Sequence, residues 1–395
     1  MDTYVRAVNE ARLQIDRQQY FARVTAGLEQ LVWQDIERRC DAQLIGFGHR
    51  RIDFAYAGTP AALLDLRGVD DIYVHVARLI GLDHTRASLA RLTEKIAPMD
   101  LLPALEVCAA VRPISTAPTY RVTASHLGRR NYSRYDVESA VAMALVGNLP
   151  WRFVLNDAEE QEPELDLRVL LENDWALLGL RLGALPLHRR AYKVASRPGS
   201  LKPPVAYCLG LLAALAPGDV VLDPACGAGT ILVEAAALIP SGVVCGGDLD
   251  ASALEIAQAN LQAAGMSAVL TQLSAGFDPR RSDIANNAEP PIALLYQGDA
   301  TDLRLADRTV DAVLSNLPWG KQVTAETDLA PLYRGILTTI ERVLAPGGRA
   351  VLLTDQAEPM LAALETCPAL HLASALQISL YGRHPTMYVL HISGE

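Results

Sequence analysis

The chain has 395 residues, half of them hydrophobic and a fifth charged, with a formal net charge of −10 at pH 7. That much apolar material excludes a disordered chain, and the length predicts two or three domains. The acid excess excludes a surface that is basic all over, and no apolar run reaches the ~18–20 residues of a membrane helix.

The charged N-terminus, MDTYVRAVNEARLQIDRQQ, is helical in character and does not read as a signal peptide. Residues 20–25 predict a strand. Residues 28–39 predict a helix, with Leu28, Leu31, Val32 and Ile36 on one face. Residues 43–47 and 51–57 predict a strand pair around Gly48, His49 and Arg50. A short helix at 61–66 and a strand at 71–79 complete a small α+β unit, assigned to residues 1–80.

Helical patterns follow at 86–96 and 101–111, then a strand at 120–125 and a helix at 134–145 that Ser133 can cap, with Asp136 in its first turn. Strands at 167–171 and 176–182 flank the turn residues Glu172, Asn173 and Asp174. This is a second α+β unit, residues 81–185. From Lys202 the rhythm becomes strand, Gly-rich turn, helix, strand: strands at 219–223, 242–248, 293–297, 311–315 and 349–354, helices at 230–239, 251–264, 329–344 and 359–367. Strands at 372–380 and 386–392 can pair through Gly382. Alternation at this spacing predicts an α/β, doubly wound, mostly parallel sheet over residues 186–395, with an inserted loop at 274–291.

Cys40, Cys108, Cys208, Cys226, Cys245 and Cys367 have no paired spacing. That predicts reduced thiols, a cytoplasmic setting and no metal centre. Charge is uneven. Residues 112–156 carry six Arg against Asp136 and Glu138, and residues 175–204 carry six basic side chains and no acid. Residues 157–174 between them carry eight acids and one Arg. An acidic chain with two basic segments can still hold an anionic polymer on one face.

The chemistry concentrates at predicted strand ends. Asp223-Pro224-Ala225-Cys226-Gly227-Ala228-Gly229-Thr230 joins a buried strand to a helix through a glycine turn. Such a turn lets a ligand approach the backbone. Leu232 stands where a dinucleotide fingerprint needs a third Gly, and no Gly-Lys-Ser/Thr follows, so neither nucleotide-phosphate motif fits. Asp223 would repel a pyrophosphate but can pair with an ammonium. Asp248 ends the next strand and can accept from ribose hydroxyls. Asp299, followed by Ala300, can accept from an adenine amine. Together they describe a site for an adenosyl ligand with an amino-acid tail.

The fourth strand ends Ser315-Asn316-Leu317-Pro318-Trp319-Gly320. The Asn316 side-chain oxygen and the Leu317 carbonyl can each accept one N–H of an exocyclic amine. That draws the nitrogen towards tetrahedral geometry and aims its lone pair at a methyl. Pro318 stiffens the turn, and Trp319 offers a flat face to a flipped base.

On these motifs, residues 190–395 resemble a class I S-adenosylmethionine-dependent methyltransferase of the amino-methylating type, whose fourth motif reads Asn/Asp-Pro-Pro-aromatic. The whole chain resembles the THUMP-domain RNA guanine-N2 methyltransferases. Tyr120–Ser125, Gly128–Ser133 and Asp136–Glu138 look like a THUMP core, and His188–Lys193 with Pro198–Pro203 like the lead into the methyltransferase. The resemblance implies a ferredoxin-like domain over 1–80, a THUMP RNA-binding domain over 81–185 and a Rossmann-like methyltransferase over 186–395. It implies a cofactor site of Asp223, Pro224, Cys226, Gly227, Gly229, Thr230, Asp248, Asp299, Ala300 and Asn316. Asn316, Leu317, Pro318 and Trp319 would form the catalytic turn, and Arg129, Arg130, Arg189, Arg190 and Lys193 would contact RNA. The implied reaction is N2-methylation of guanosine, in tRNA foremost. Amino-methylation of rRNA, DNA adenine or protein glutamine stays open, as does an RNA binder with a vestigial methyltransferase domain. Leu317 replaces the motif's first Pro, Trp319 its usual Tyr or Phe, and Lys321-Gln322 an Arg frequent after the Gly.

Overall fold

The structure is a computed structural model that describes residues 17–146, 150–154, 162–281, 291–319 and 329–393. The expected N-terminal helical stretch before residue 17, residues 282–290 of the 274–291 loop, and Gly320, Lys321 and Gln322 lie outside the described residues. The chain divides into two compact units. One comprises Met1–Val24 with Trp33–Leu187, the other Thr25–Val32 with His188–Glu395.

The first unit contains, in chain order, β1 (Gln18–Arg23), α1 (Glu29–Arg39), β2 (Ala42–Gly48), β3 (Arg51–Tyr56), β4 (Asp71–Ile80), α2 (Ala87–Ile96), α3 (Leu102–Ala109), β5 (Thr119–His126), α4 (Arg134–Leu145), β6 (Arg152–Phe153), β7 (Leu165–Glu172) and β8 (Trp175–Arg181). The first turn of α1 belongs to the other unit. The strands form one eight-stranded sheet in the order β2-β3-β1-β4-β8-β7-β5-β6. β4 pairs antiparallel with β8 from Tyr73↔Arg181 to Ile80↔Trp175, so a single sheet runs through both expected α+β units. Ser133 caps α4 through a reciprocal capping box with Asp136, and those hydrogen bonds hold the Asp136 carboxyl below the usual carboxylate range. Asn173 turns β7 into β8 with φ +47, a left-handed conformation that Asn tolerates.

One row across this sheet is charged. Arg121 lies beside Asp166, Asp166 bonds Arg181, and Arg181 faces Tyr73. Arg181 is 5% exposed and donates to Asp71 at 2.7 Å and Asp166 at 2.9 Å. Arg51 pairs with Asp53 at 2.9 Å and Glu172 at 2.6 Å.

The second unit contains α5 (Pro203–Leu212), β9 (Val220–Asp223), α6 (Thr230–Ala236), β10 (Val243–Asp248), α7 (Ala251–Ala263), β11 (Ala268–Leu270), β12 (Ile292–Gln297), β13 (Val310–Asn316), α8 (Leu329–Val343), β14 (Leu344–Thr354), α9 (Ala357–Leu364), β15 (Leu370–Gln377) and β16 (Thr386–Ile392). Its sheet has the order β11-β12-β10-β9-β13-β14-β16-β15. All pairs are parallel except those made by β16, which runs antiparallel to β14 and β15. Val220, Leu222, Val313 and Leu352 form its core with Tyr333, Ile336 and Ile340 of α8.

Three elements were not expected. α5 is apolar on nearly every side, so it carries no stripe to read, and it opens on Pro203 and Pro204, where proline suits the first helical turn. β6 and β11, of two and three residues, are too short for alternation to register. β14 starts five residues early because Gly347, at φ +75, carries the strand past an irregular register. The expected inserted loop is partly structured before residue 282. Phe277 bridges Leu305, and Arg280 pairs with Asp311 at 2.7 Å.

Candidate active site

The chain reverses direction across the sheet between β9 and β13, the crevice where open α/β sheets bind ligands at their strand ends. A cavity of about 830 Å³ opens there. Its wall includes Asp223, Pro224, Cys226, Gly227, Thr230, Asp248, Asp299, Ala300, Asn316, Pro318 and Trp319. Of the cofactor and catalytic residues expected from the sequence, Gly229 and Leu317 are absent from this wall. Gly229 is the N-cap of α6 at φ +72, and a Cβ there would sit 3.0 Å from Ala257, so it shapes the turn from behind. The Leu317 side chain is fully buried in the core while its N–H bonds the Leu353 carbonyl, so any part it takes in chemistry is confined to its backbone.

Asp223, at the tip of β9, is 1% exposed. Its Oδ1 accepts from Ser315 Oγ at 2.9 Å and from the Ala225 N–H at 3.2 Å. Burial pushes its carboxyl up to about 7 against these two hydrogen bonds, with the Asp248 charge adding to the rise. Asp248 is half-buried, and each of its oxygens takes one backbone N–H, from Gly227 at 2.9 Å and Asp250 at 3.0 Å. A carboxylate has about four lone-pair positions, so acceptor capacity remains for a ligand. Asp299 is exposed, and Thr301 holds its Oδ1 through N–H and Oγ at 2.8 Å each. Cys226 is buried, and burial beside Asp223 and Asp248 raises its thiol well above the usual range, so it lines the wall without being a nucleophile.

The cavity's size lies within the usual range for a small-molecule site, the glycine turn keeps its floor low, and carboxylates stand at successive strand ends. An adenosyl amino acid fits this set: Asp223 for the ammonium, Asp248 for the ribose, and the Asp299–Ala300 corner for the adenine.

Asn316 ends β13. Its Nδ2 points to the Gly199 carbonyl at 3.4 Å, and its Oδ1 accepts from Trp319 Nε1 at 2.8 Å. An indole N–H can only donate, so this bond fixes which end of the amide is oxygen. The Pro318 carbonyl is held by Tyr333 Oη at 2.8 Å, and that hydroxyl also meets Thr354 at 2.7 Å. The turn is therefore braced on both sides of Leu317.

Sequence reasoning missed several supports. Asn260 is fully buried and clamps the glycine turn, donating to the Ala228 carbonyl at 2.8 Å and the Ala195 carbonyl at 2.9 Å while accepting from the Ala195 N–H. Ser315, Tyr333 and the Arg197–Asp250 pair were missed as well. Ser315 stands one residue before the motif, a position from which a strand side chain reaches its neighbour β9. Asn260 gave no signal, because a lone Asn in a helix pattern reads as surface.

The five arginines and lysines expected at RNA divide. Arg129 and Arg189 are exposed. Arg130 is half-buried, and its guanidinium donates to the carbonyls of Leu82, Asp83 and Asn173 and to Tyr132 Oη, tying loops together. Arg190 is half-buried as well. It pairs at 3.2 Å with the fully buried Glu234, which also accepts from Tyr192 Oη at 2.8 Å. Lys193 donates to the Leu201 carbonyl at 2.9 Å, and burial lowers its ammonium below the usual lysine range.

The strand order with its reversed β16, and the acid-tipped cavity at the switch point, define a class I S-adenosylmethionine-dependent methyltransferase. The RMKL-like methyltransferase domain of the UPF0020 family matches residues 190–279 and 281–384. The tRNA (guanine(6)-N2)-methyltransferase of Thermus thermophilus is 32% identical over 295 residues, 74% of this chain and 78% of that protein. The U6 snRNA (guanine-N(2))-methyltransferase THUMPD2 of Bos taurus is 30% identical over 240 residues, 60% of this chain but 41% of that longer protein. The crystal structure of TrmN from Thermus thermophilus superposes with a TM-score of 0.73 at 28% identity, covering 95% of this chain and 99% of that one. The fold is shared as well by SMU.472, a protein complexed with SAH, with a TM-score of 0.71 at 16% identity over 96% of this chain and 99% of that one. The chain belongs to this RMKL-like family, on the side of the RNA guanine-N2 methyltransferases.

Proposed function

We propose that this chain methylates the exocyclic N2 amine of a guanosine in RNA, with tRNA as its substrate, and that it works in the cytoplasm. The observation that carries this reading is the Asn316–Trp319 pair, set in one cavity with Asp223 and Asp248. The names of the relatives supply base and polymer: the Thermus protein modifies guanine 6 of tRNA and the bovine one U6 snRNA. In this reading residues 1–80 are a ferredoxin-like domain and 81–185 a THUMP domain that binds RNA through Arg129, while Arg189 is an RNA contact of the methyltransferase unit. The Tyr120–Ser125 and Arg129–Ser133 sequences support the second assignment.

The bound donor supplies an electrophilic methyl on a sulfonium. Asp223 and Asp248 hold its ammonium and ribose ends. The target nitrogen is weakly basic because its lone pair is delocalised into the ring. The Asn316 Oδ1, already oriented by Trp319, keeps a lone pair for one amine N–H, and the Leu317 carbonyl takes the other. These two acceptors localise the nitrogen lone pair. A carbon–sulfur bond breaks as the nitrogen–carbon bond forms, and the surplus proton on nitrogen then leaves to water. No strong base is needed at the start. Orientation and hydrogen-bond polarisation are the protein's contribution.

The test is methyl transfer from labelled S-adenosylmethionine to unmodified tRNA, followed by digestion and mass spectrometry of the nucleosides. N2-methylguanosine is expected. Label in DNA or protein and none in RNA overturns the reading.

A further inference from the structure

The turn between β15 and β16 carries an unusual residue. Leu380 and Arg383 exchange two backbone hydrogen bonds of 3.0 Å, leaving Tyr381 and Gly382 as a two-residue hairpin loop. Both have positive φ, +52 and +77. Turns of this form favour Asn-Gly, because Asn tolerates the first position and an aromatic residue is strained there. The Tyr381 ring is nonetheless held 66% exposed, and it lines the same cavity as Asn316 and Trp319. A strained residue with an exposed aromatic ring at a cavity edge is better explained by a ligand than by folding.

Its surroundings agree. The Lys202 ammonium lies over the Tyr381 ring, 5.7 Å from its centre. Arg383 pairs with Asp355 and lies 6.0 Å from the centre of the Trp319 ring. Trp319, Tyr381 and Arg383 thus line one cavity, with the Lys202 ammonium beside the Tyr381 ring, the combination that takes a stacked base with its phosphates. The turn is also braced. The Ser379 N–H bonds the Ala26 carbonyl at 2.9 Å, and Gly27, at φ +96, passes so close that a Cβ there would lie 2.4 Å from the Gln377 carbonyl oxygen.

We propose that Tyr381 is a second stacking wall for the extruded base, working with Trp319, and that Lys202 and Arg383 take the phosphates beside it. This rests on the methyltransferase reading above and adds a residue that no motif marks.

The test compares Tyr381→Asn and Tyr381→Phe on an unmodified tRNA that the wild-type chain methylates. Asn suits the turn, so Tyr381→Asn melts at or above the wild-type temperature. Its KM for tRNA rises about tenfold or more, on the scale of losing one base–aromatic stack. Its affinity for S-adenosylmethionine stays at wild type, and Tyr381→Phe recovers the tRNA KM. A wild-type KM in Tyr381→Asn, or a rise in KM accompanied by a lowered melting temperature, overturns the stacking role and leaves the methyltransferase reading standing. Failure of the wild-type chain to methylate any RNA overturns that reading and this one with it.

Discussion

In the methyltransferase sheet the acids that matter, Asp223 and Asp248, sit at strand tips and keep acceptor capacity towards a cavity. In the N-terminal sheet the charged residues also stand at or near strand ends, but they satisfy one another across the sheet, Arg181 with Asp71 and Asp166, Arg51 with Asp53 and Glu172. The tips of β9 and β10 border the cavity, so the carboxylates there can reach a ligand. Arg181 and Arg51 are instead buried against acids of neighbouring strands, and a buried guanidinium requires such partners. The same contrast holds within the basic segments. Arg130 and Arg190 add to the local charge count but serve as internal ties, while Arg129 stays at the surface.

This contrast can be broken by substitution. The largest effect falls on the N-terminal sheet. Arg181→Ala removes the arginine partner of the buried Asp71 and leaves Asp166 with Arg121 alone as its ionic partner, and is expected to destabilise the fold by about 3–5 kcal/mol. Urea unfolding measures it, and a change under 1 kcal/mol would mean that this ion-pair row is ornamental.

Asp223 gives the next effect. Its carboxyl must be ionised to hold an ammonium, so S-adenosylmethionine affinity falls as pH drops through about 7, by about tenfold per unit. Because its folded pKa is raised, the folded form binds the extra proton between the unfolded value of ~3.9 and about 7, and stability falls as pH rises through that window. Asp223→Asn removes that loss. The expected result is weak, pH-insensitive cofactor binding by calorimetry together with a higher melting temperature than wild type at pH 8.

Trp319→Phe keeps a ring face, which from sequence alone predicts a mild effect. The bond from Nε1 to Asn316 adds a second consequence, because the amide loses the donor that orients it. A kcat several-fold below wild type with little change in RNA KM is expected, in line with one hydrogen bond of ~0.5–1.5 kcal/mol. The reverse pattern would reduce Trp319 to a stacking face.

The smallest effect separates two neighbouring arginines. Arg129→Ala should lower the salt dependence of RNA binding by about one unit per lost phosphate contact and leave the melting temperature unchanged. Arg130→Ala should lower the melting temperature first. Equal behaviour of the two would erase the distinction drawn between surface and internal cations.

The second unit was largely legible because its chemistry is written in consecutive residues. Asp223 to Thr230 is a strand end, a turn and a helix start in eight positions, and Asn316 to Trp319 is a turn in four. Tertiary supports were not legible. Asn260 is 32 residues from the Ala228 carbonyl that it clamps, and Tyr333 is 15 from Pro318. In the N-terminal half the strands were legible from alternation. The pairing of β4 with β8 was not, since the two strands are separated in the chain by the helices α2, α3 and α4 and the strands β5, β6 and β7. The internal partners of the basic segments were not legible for a related reason: charge is counted along the chain, while Glu234 and the Asn173 carbonyl, which engage Arg190 and Arg130, lie 44 and 43 residues away.

The central claim is that Asn316 polarises a guanosine amine in a cavity whose acids hold the methyl donor. Single-turnover methylation of unmodified tRNA by Asn316→Ala, with cofactor affinity measured in parallel, tests it most directly. The account predicts a rate lowered about 10²-fold or more, with S-adenosylmethionine bound as tightly as by wild type. N2-methylguanosine formed at the wild-type rate would contradict it, leaving the Ser315–Trp319 turn a structural element and the amine chemistry without a residue to perform it.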